Sequence, residues 1–270
     1  MRRVVLGAMV LAAAQAAHAA DLPFLRGALS DGPTPTVNWQ GFYVGGQGAY
    51  GSSDMNFTNS TQGLAAQMLA LTTIESENQV SKWPILSKQS VHGHGYGGFA
   101  GYNWQWDDVV LGLEASYVHG TFGGSDSGSM GRSFTTSDGY TNGVLYQGDA
   151  AINIKDMGSV RARAGYAWGS FLPYMFGGVS LGQADIIRTA SVSGTQVNPA
   201  AAAGFQTINF SDSLSTAQHG HFIYGYAGGL GVDMMLFSGL FLRAEWEYLK
   251  FAAPVDTSIN TVRAGVGYKF

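Results

Sequence analysis

Seven charged residues lie at similar depth, about four to nine residues from one end, within the apolar, glycine-rich segments of this chain. Within each segment, charged residues and glycines occupy every second position, so they share one face of an extended strand. A guanidinium in a low-dielectric interior needs a carboxylate partner and suits paired hydrogen bonds to it. We therefore expect ion pairs inside the fold, with Glu245 facing Arg263, that act as a structural plug or as a solute-selecting gate. The set is Glu114, Arg161, Arg163, Arg243, Glu245, Glu247 and Arg263.

Five histidines form a second group with chemical potential, because imidazole binds both metal ions and haem iron. They fall at one end of the predicted strands, and the turn near Asp107 sets His94 opposite His119. Because side chains alternate along a strand, three of these histidines lie on one strand face and two on the other. They can converge only if β-bulges change the alternation. A ligand site and a set of rim residues near lipid headgroups both remain open. The candidates are His92, His94, His119, His219 and His221.

Catalytic motifs are missing from the sequence. No serine-hydrolase elbow, metalloprotease, P-loop or dinucleotide motif occurs. The chain has no cysteine, which excludes disulfides, thiolate-bound zinc and iron–sulfur clusters. Ser116 and His119 have opposite parity, so they do not make a catalytic pair on one strand face. We predict that the protein is not an enzyme and uses no cofactor; an outer-membrane enzyme is the runner-up class.

The composition indicates a large apolar surface that the fold has to place somewhere. Charged residues make up 12% of it, about half of the ~25% usual in soluble domains. Glycine is abundant, with 39 residues, and aromatic residues reach 13%. The net charge of −4 shows no basic excess, which argues against nucleic acid as a partner.

The N-terminus predicts export. A short basic region, an apolar run too short to span a bilayer and the small-x-small sequence at Ala17 to Ala19 form a secretory signal peptide over residues 1–19. A proline-containing, turn-rich stretch then predicts a periplasmic linker over residues 20–38. The remaining residues, 39–270, form the predicted barrel domain.

Eight runs of alternating apolar and small or polar residues predict eight strands. Long and tight connections alternate between them, as in bacterial outer-membrane barrels, whose long loops are extracellular. Residues 64–75 have apolar residues at helical spacing; this pattern favours a loop helix packed on the barrel's own rim, with a lid or interfacial helix as the alternative. The runs cover residues 39–52, 94–105, 109–122, 157–169, 172–184, 221–234, 239–251 and 258–270, and the long loops cover residues 53–93, 120–156 and 185–220.

Two kinds of barrel fit these strands. A soluble ligand carrier turns its apolar face inward and needs a well-solvated exterior. The second face here consists mostly of glycine with a few arginines and glutamates, which is too little polar surface to solvate a barrel. A membrane barrel instead places the apolar and aromatic face in lipid and the small and charged residues in a narrow bore. We therefore predict an eight-stranded antiparallel transmembrane up-and-down barrel, with aromatic girdles at both strand ends.

The strand sequences as a set resemble the small porin-like outer-membrane proteins of alphaproteobacteria, whose barrels are OmpA-like. The resemblance implies the cell outer membrane as location, an assembly signal at Tyr268 and Phe270 for the barrel-assembly machinery, and no catalytic residues. Members of this family are surface antigens or porin-like proteins, and some bind hemin. The matching segments are WQGFYVGGQGAYG at 39–51, GGFAGYNWQ at 97–105, VLGLEASY at 110–117, GSVRARAGYAWG at 158–169, LPYMFGGVSLG at 172–182, AGGLGVDMML at 227–236, LRAEWEYLKF at 242–251 and VRAGVGYKF at 262–270.

The resulting hypothesis is a monomeric barrel with a structural or surface-interaction role and a bore plugged by Arg/Glu pairs. Its expected partners are outer-membrane lipid, lipopolysaccharide and the assembly machinery. The alternatives are a passive small-solute porin and a hemin- or metal-binding surface receptor.

Overall fold

Eight antiparallel strands close into one ring in the computed structural model, which describes residues 37–270. Each strand pairs with the next along the chain, and β1 pairs with β8 from Tyr43 opposite Lys269 to Asn56 opposite Asp256. The predicted signal peptide and residues 20–36 of the predicted linker lie outside the described residues. The strands are β1 (Gly41–Asn56), β2 (Lys88–Trp106), β3 (Val109–Thr135), β4 (Thr141–Tyr166), β5 (Phe171–Val197), β6 (Thr207–Phe237), β7 (Leu240–Ala252) and β8 (Asp256–Lys269).

Tight turns join the strands at one end of the ring. The β2–β3 turn contains Asp107 at φ 51°, and the β6–β7 turn contains Ser238 and Gly239 at φ 40° and 88°. Gly169, at φ 56°, lies in the β4–β5 connection, where a side chain would be strained. The tight turns are therefore at one end, as predicted, but only the β1–β2 connection at the opposite end is long; the connections there cover residues 57–87, 136–140, 198–206 and 253–255.

The two faces of the ring have the predicted parity. On β8, Val262 is 63% exposed and faces outward, whereas Arg263 is 2% exposed and faces the bore. Trp246 on β7 is likewise exposed, while the flanking Glu245 and Glu247 are buried. Because successive side chains of a strand point to opposite sides, this alternation places the apolar residues outside and the charges inside.

The strands continue much further than the sequence analysis predicts. Residues 120–156 and 185–220 are not loops; β3 and β4 extend to a turn at residues 136–140, and β5 and β6 extend to a turn at residues 198–206. Within β5, buried Ala190 and Val192 alternate with polar residues. The sequence analysis interpreted this alternation as loop because many of its residues are serine, threonine and glycine, which are also common in loops.

Only four of the eight strands make this extension. Pairing of β1 with β2 ends at Asn56 and Lys88, whereas pairing of β3 with β4 continues to Thr135 and Thr141. Irregular pairing, typical of bulges, occurs in β3, β4 and β6 at the height where they leave the ring. We call the part beyond this height the outer sheet; it consists of residues 122–135, 141–154, 186–197 and 207–218.

The connection between β1 and β2, residues 57–87, folds over the inner face of the outer sheet, and we call it the lid segment. It contains α1 (Gln62–Met68), α2 (Thr73–Asn78) and a short 3-10 turn. The predicted single helix over residues 64–75 is therefore wrong, because the chain turns between α1 and α2 and leaves Leu71 fully exposed at φ 66°. The buried apolar residues of the lid segment pack on β4 and β5. The cluster includes Leu64, Ala65, Leu69, Ile74, Val80, Trp83, Val144, Tyr146, Ala190 and Val192. No helix within residues 37–270 has the length and apolar character needed to cross a membrane.

Candidate functional site

A network of charged side chains fills the bore of the ring, and it contains all seven residues expected from the sequence. Their side chains are 0–3% exposed, although no single strand contributes more than three of them. The strand alternation brings them together, because inward positions of β3, β4, β7 and β8 reach similar heights.

Arg161 lies at the centre of the network. Its Nη2 atom donates to both carboxylate oxygens of Glu245 at 2.8 Å, and its Nη1 atom donates to Glu247 at 3.2 Å. Its Nε atom donates to Glu114 Oε1 at 2.9 Å, and a second bond to the same oxygen comes from Nη2. Three carboxylates thus surround one guanidinium, and each of its three nitrogen atoms donates to at least one of them.

Asp233 on β6 is the fourth carboxylate of the network, and the sequence analysis missed it. It accepts a bond from Arg163 at 2.7 Å and paired bonds from Arg243 at 2.8 and 3.0 Å. With Asp233 included, four arginines face four carboxylates, so the network has no net charge. The excess arginine in the set predicted from sequence was the signal that one acid was missing.

The predicted pairing of Glu245 with Arg263 is wrong in its contacts. The two residues are directly opposite on β7 and β8, as expected. However, the Arg263 guanidinium forms its ion pair with Glu247, and its Nη1 atom donates to Ser116 Oγ at 3.2 Å. Glu245 instead bonds to Arg161 and accepts from Tyr174 Oη at 2.5 Å. Long side chains reach diagonally across the bore, which cross-strand register alone does not predict.

Aromatic rings complete the surroundings of the arginines. The Arg161 guanidinium carbon lies 4.1 Å from the Phe176 ring centre, and that of Arg243 lies 3.9 Å from the Phe99 ring centre. Arg163 lies 3.7 Å from the ring centre of Tyr174. Cations are attracted to the faces of aromatic rings, and this attraction is larger where water is excluded.

Apolar layers lie on both sides of the network within the bore. Towards the tight turns, the cluster that includes Trp39, Leu172 and Phe241 fills the space. Towards the outer sheet, a larger cluster includes Phe122 and Phe251. The bore is therefore occupied by side chains at three successive heights, with charges in the middle one.

The histidines do not converge. Tyr96, not His94, is opposite His119, and His94 pairs with Thr121. His119 Nδ1 lies 2.8 Å from Asp156 Oδ1, which also accepts from Tyr117 Oη. No group of three or more histidine or acidic side chains within residues 37–270 is arranged to hold a metal ion. The other members of the predicted set are separate: His92 stacks on Tyr50 with ring centres 5.9 Å apart, and His219 Nδ1 lies 3.7 Å from Asp185, while His221 is exposed.

The two residues of the expected assembly signal lie at the end of β8, beside the start of β1. Tyr268 and Phe270 are exposed, with ring centres 5.1 Å apart, and the Phe270 N–H donates to the carbonyl of Phe42 at 2.9 Å. Both rings thus face outward at the seam where the ring closes.

Asp126 ties the lid segment to β3. Its carboxylate accepts from the Ser87 amide at 2.6 Å and from Gln89 Nε2 at 2.8 Å. Partial burial alone would raise the pKa of Asp126, but these bonds and one from the Ser87 hydroxyl outweigh it and hold the pKa below its ordinary value.

Comparison with known proteins gives the family. The family model described as the outer membrane protein beta-barrel domain matches residues 4–270. The chain belongs to this family. It is 25% identical over 246 residues to the 22 kDa outer membrane protein of Rhizobium leguminosarum bv. viciae, covering 87% of this chain and 80% of the relative. It is 26% identical over 178 residues to the 25 kDa outer-membrane immunogenic protein of Brucella ovis, covering 64% of this chain and 62% of the relative.

The chain is also similar to solved structures. The Ail protein of Yersinia pestis is 16% identical, with a TM-score of 0.36, over 86% of this chain and 99% of Ail. The family and the curated relatives locate the protein in the cell outer membrane. The resemblance to alphaproteobacterial outer-membrane proteins is thus confirmed, as is the predicted barrel class.

Proposed function

We propose that this outer-membrane barrel is closed to solutes and has a structural and surface-interaction role. The observation that carries the proposal is the neutral network of four arginines and four carboxylates, which lies between two apolar layers in the bore. Eight strands leave an interior that side chains can fill. Moving ions through this bore would require breaking several buried ion pairs, each of which is costly to separate.

Conductance across planar lipid bilayers tests the closed bore. The wild-type chain should show no steady conductance. A variant in which the lid segment is replaced by a short glycine–serine turn should also stay closed, because the network and the apolar layer towards the tight turns remain, and the other layer loses Phe57 and Leu86 but keeps its strand residues. Large, steady conductance of the wild type would establish the passive porin instead. Conductance of the lid variant alone would show that the lid segment gates a pore.

The proposed orientation places the outer sheet outside the cell and the tight turns in the periplasm. The family pattern of short periplasmic turns and longer extracellular connections supports this orientation. An epitope inserted at residues 137–139 or 201–204 should bind antibody on intact cells. An epitope at Ser170 should bind only after the cells are opened. Labelling of Ser170 on intact cells would reverse the orientation.

We further propose that the barrel is a monomer whose partners are membrane lipid, lipopolysaccharide and the barrel-assembly machinery. The closed ring supports a monomer because every strand at that level already has two neighbours. Sedimentation in detergent should give a single-chain mass. Titration with hemin tests the receptor alternative: saturable binding that is lost in His119→Ala or His219→Ala would favour that function over the present proposal.

A further inference from the structure

The outer sheet has an unpaired edge on β6. Residues Thr207–Ile223 pair with β5 on one side, but pairing with β7 begins only at Tyr224, opposite Ala252. Proline follows at position 254, and the chain turns back into β8. A row of backbone N–H and C=O groups therefore faces the space above β7, where residues 37–270 provide no neighbouring strand. Such a row is a template for pairing with another chain.

The two edges of the outer sheet differ in what covers them. The β3 edge carries Asp126, which binds Ser87 at the end of the lid segment and Gln89 at the start of β2. The β6 edge has few of the protections common on exposed strands: residues 207–218 contain no proline, lysine or arginine, and Asp212 is their one charge. The Asp212 carboxylate accepts from the Ser213 N–H at 2.8 Å, so this amide bonds to a side chain rather than to a strand.

Burial confirms that the sheet is incomplete on this side. Val144 and Val192 on the central strands are 2% and 1% exposed beneath the lid segment. Phe210 and Leu214, on the same face of β6, are only partly buried. One more strand beside β6 would continue the apolar layer that these two residues begin.

We propose that the β6 edge binds an extended segment of another protein by adding it to the outer sheet. Main-chain hydrogen bonds would supply the affinity, and alternate side chains the selectivity. On the face shared by Phe210, Asp212 and Leu214, the segment would place apolar residues beside Phe210 and Leu214 and a basic residue near Asp212. The inference rests on the surface-interaction part of the proposed function and specifies the kind of partner.

A second copy in the same membrane fits this edge poorly. Two copies stand upright with their β6 strands running in the same direction. A two-fold axis along the membrane normal would set N–H opposite N–H and C=O opposite C=O. Parallel strands bond only when donors face acceptors, so this symmetry cannot form the pair.

The test uses the full chain in lipid nanodiscs and a fluorescent peptide of sequence IIRTASVSGTQV, which is residues 186–197 and the natural complement of β6. In the free protein, every second amide over residues 207–218 should exchange rapidly with deuterium. Saturable peptide binding should slow exchange at those amides. Two peptides are compared in which the backbone nitrogens at odd or at even positions are methylated. Only one of these two sets of N–H groups faces β6, so one peptide should bind and the other should not.

Ser213→Pro removes an edge donor and should bind the peptide about tenfold more weakly than Ser213→Ala. If the proline variant does not fold, the two N-methylated peptides on the wild type still decide. Equal binding of both, slow exchange of all edge amides in the free protein, or equal binding by the two Ser213 variants would overturn the proposal. Protection that rises with protein concentration without peptide would assign the edge to a second copy and also overturn it. Bilayer conductance is measured separately, so an open bore and an unoccupied edge are distinguishable failures.

Discussion

The ring and the outer sheet are built from the same strands but solve different problems. In the ring, all eight strands pair on both sides, and the interior holds eight buried charges in balanced pairs. In the outer sheet, four strands leave two edges, and an apolar layer is covered by the lid segment. Lipid offers no hydrogen bonds to an open edge, whereas water does. The comparison shows that closure is needed at membrane depth and is optional beyond it.

The largest difference should appear on removing an arginine. Arg161→Met leaves three carboxylates without their shared partner and should destabilise the barrel by about 3–5 kcal/mol. Arg132→Met in the outer sheet loses only an exposed contact with the Trp83 ring and should cost less than about 1 kcal/mol. Urea unfolding in lipid vesicles measures both. Equal losses would remove the energetic contrast between the two regions.

A matched pair of alanines tests the outward faces. Ala264 lies on the lipid face of β8, and Ala264→Arg should destabilise the fold by about 2–4 kcal/mol if it is near the bilayer midplane. Ala217 is exposed in the outer sheet, and Ala217→Arg should change stability by no more than about 0.5 kcal/mol. The same unfolding assay applies. A tolerated arginine at Ala264 would mean that this face does not meet lipid.

A double-variant cycle sharpens the account of the network. Glu247→Gln and Arg263→Gln should show a coupling energy of about 0.5–3 kcal/mol, because the two side chains are in contact. The cycle for Glu245 and Arg263 should give a smaller value, since these residues are opposite but bond to other partners. A larger coupling for the second pair would support the pairing expected from register.

The smallest effect concerns acidity and is confined to the outer sheet. Because hydrogen bonds lower the pKa of Asp126 in the folded chain, their stabilising contribution is complete above the ordinary aspartate pKa of about 3.9. It is lost as the pH falls through the lower folded value. A spin label at a single cysteine replacing Lys88 should therefore become more mobile as the pH falls below the ordinary aspartate pKa and through the lower folded value. In Asp126→Asn this pH dependence should vanish; an unchanged profile would contradict the tie.

The sequence predicts which face of its strand each residue occupies. It does not predict the height of each side chain along the bore, and therefore not its partner. Val262, Arg263 and Ala264 show inside and outside directly, because strand alternation is local. The partner of Arg263 depends on how far strands are staggered around the ring and on how long side chains extend. Asp233 escaped notice because one acid among glycines and apolar residues does not form a pattern of its own.

The outer sheet was the main omission. Its residues look like loop residues, and the signal lies in small alternating side chains such as Ala190 and Val192, which are buried only because the lid segment covers them. Their burial comes from a segment about 100 residues away in sequence. Local propensity therefore cannot distinguish this hairpin from a polar loop.

The pairing of β1 with β8 has a consequence for how the chain folds. Every other strand pair joins neighbours in sequence, but this one joins the two ends of the described chain. Bringing distant segments together is the slow and entropically costly part of folding. Until β8 is in place, β1 and β7 each present unpaired backbone groups at membrane depth, where each costs several kcal/mol. The eighth strand along the described chain is thus the one that completes the barrel, and partial rings have no stable place in the bilayer.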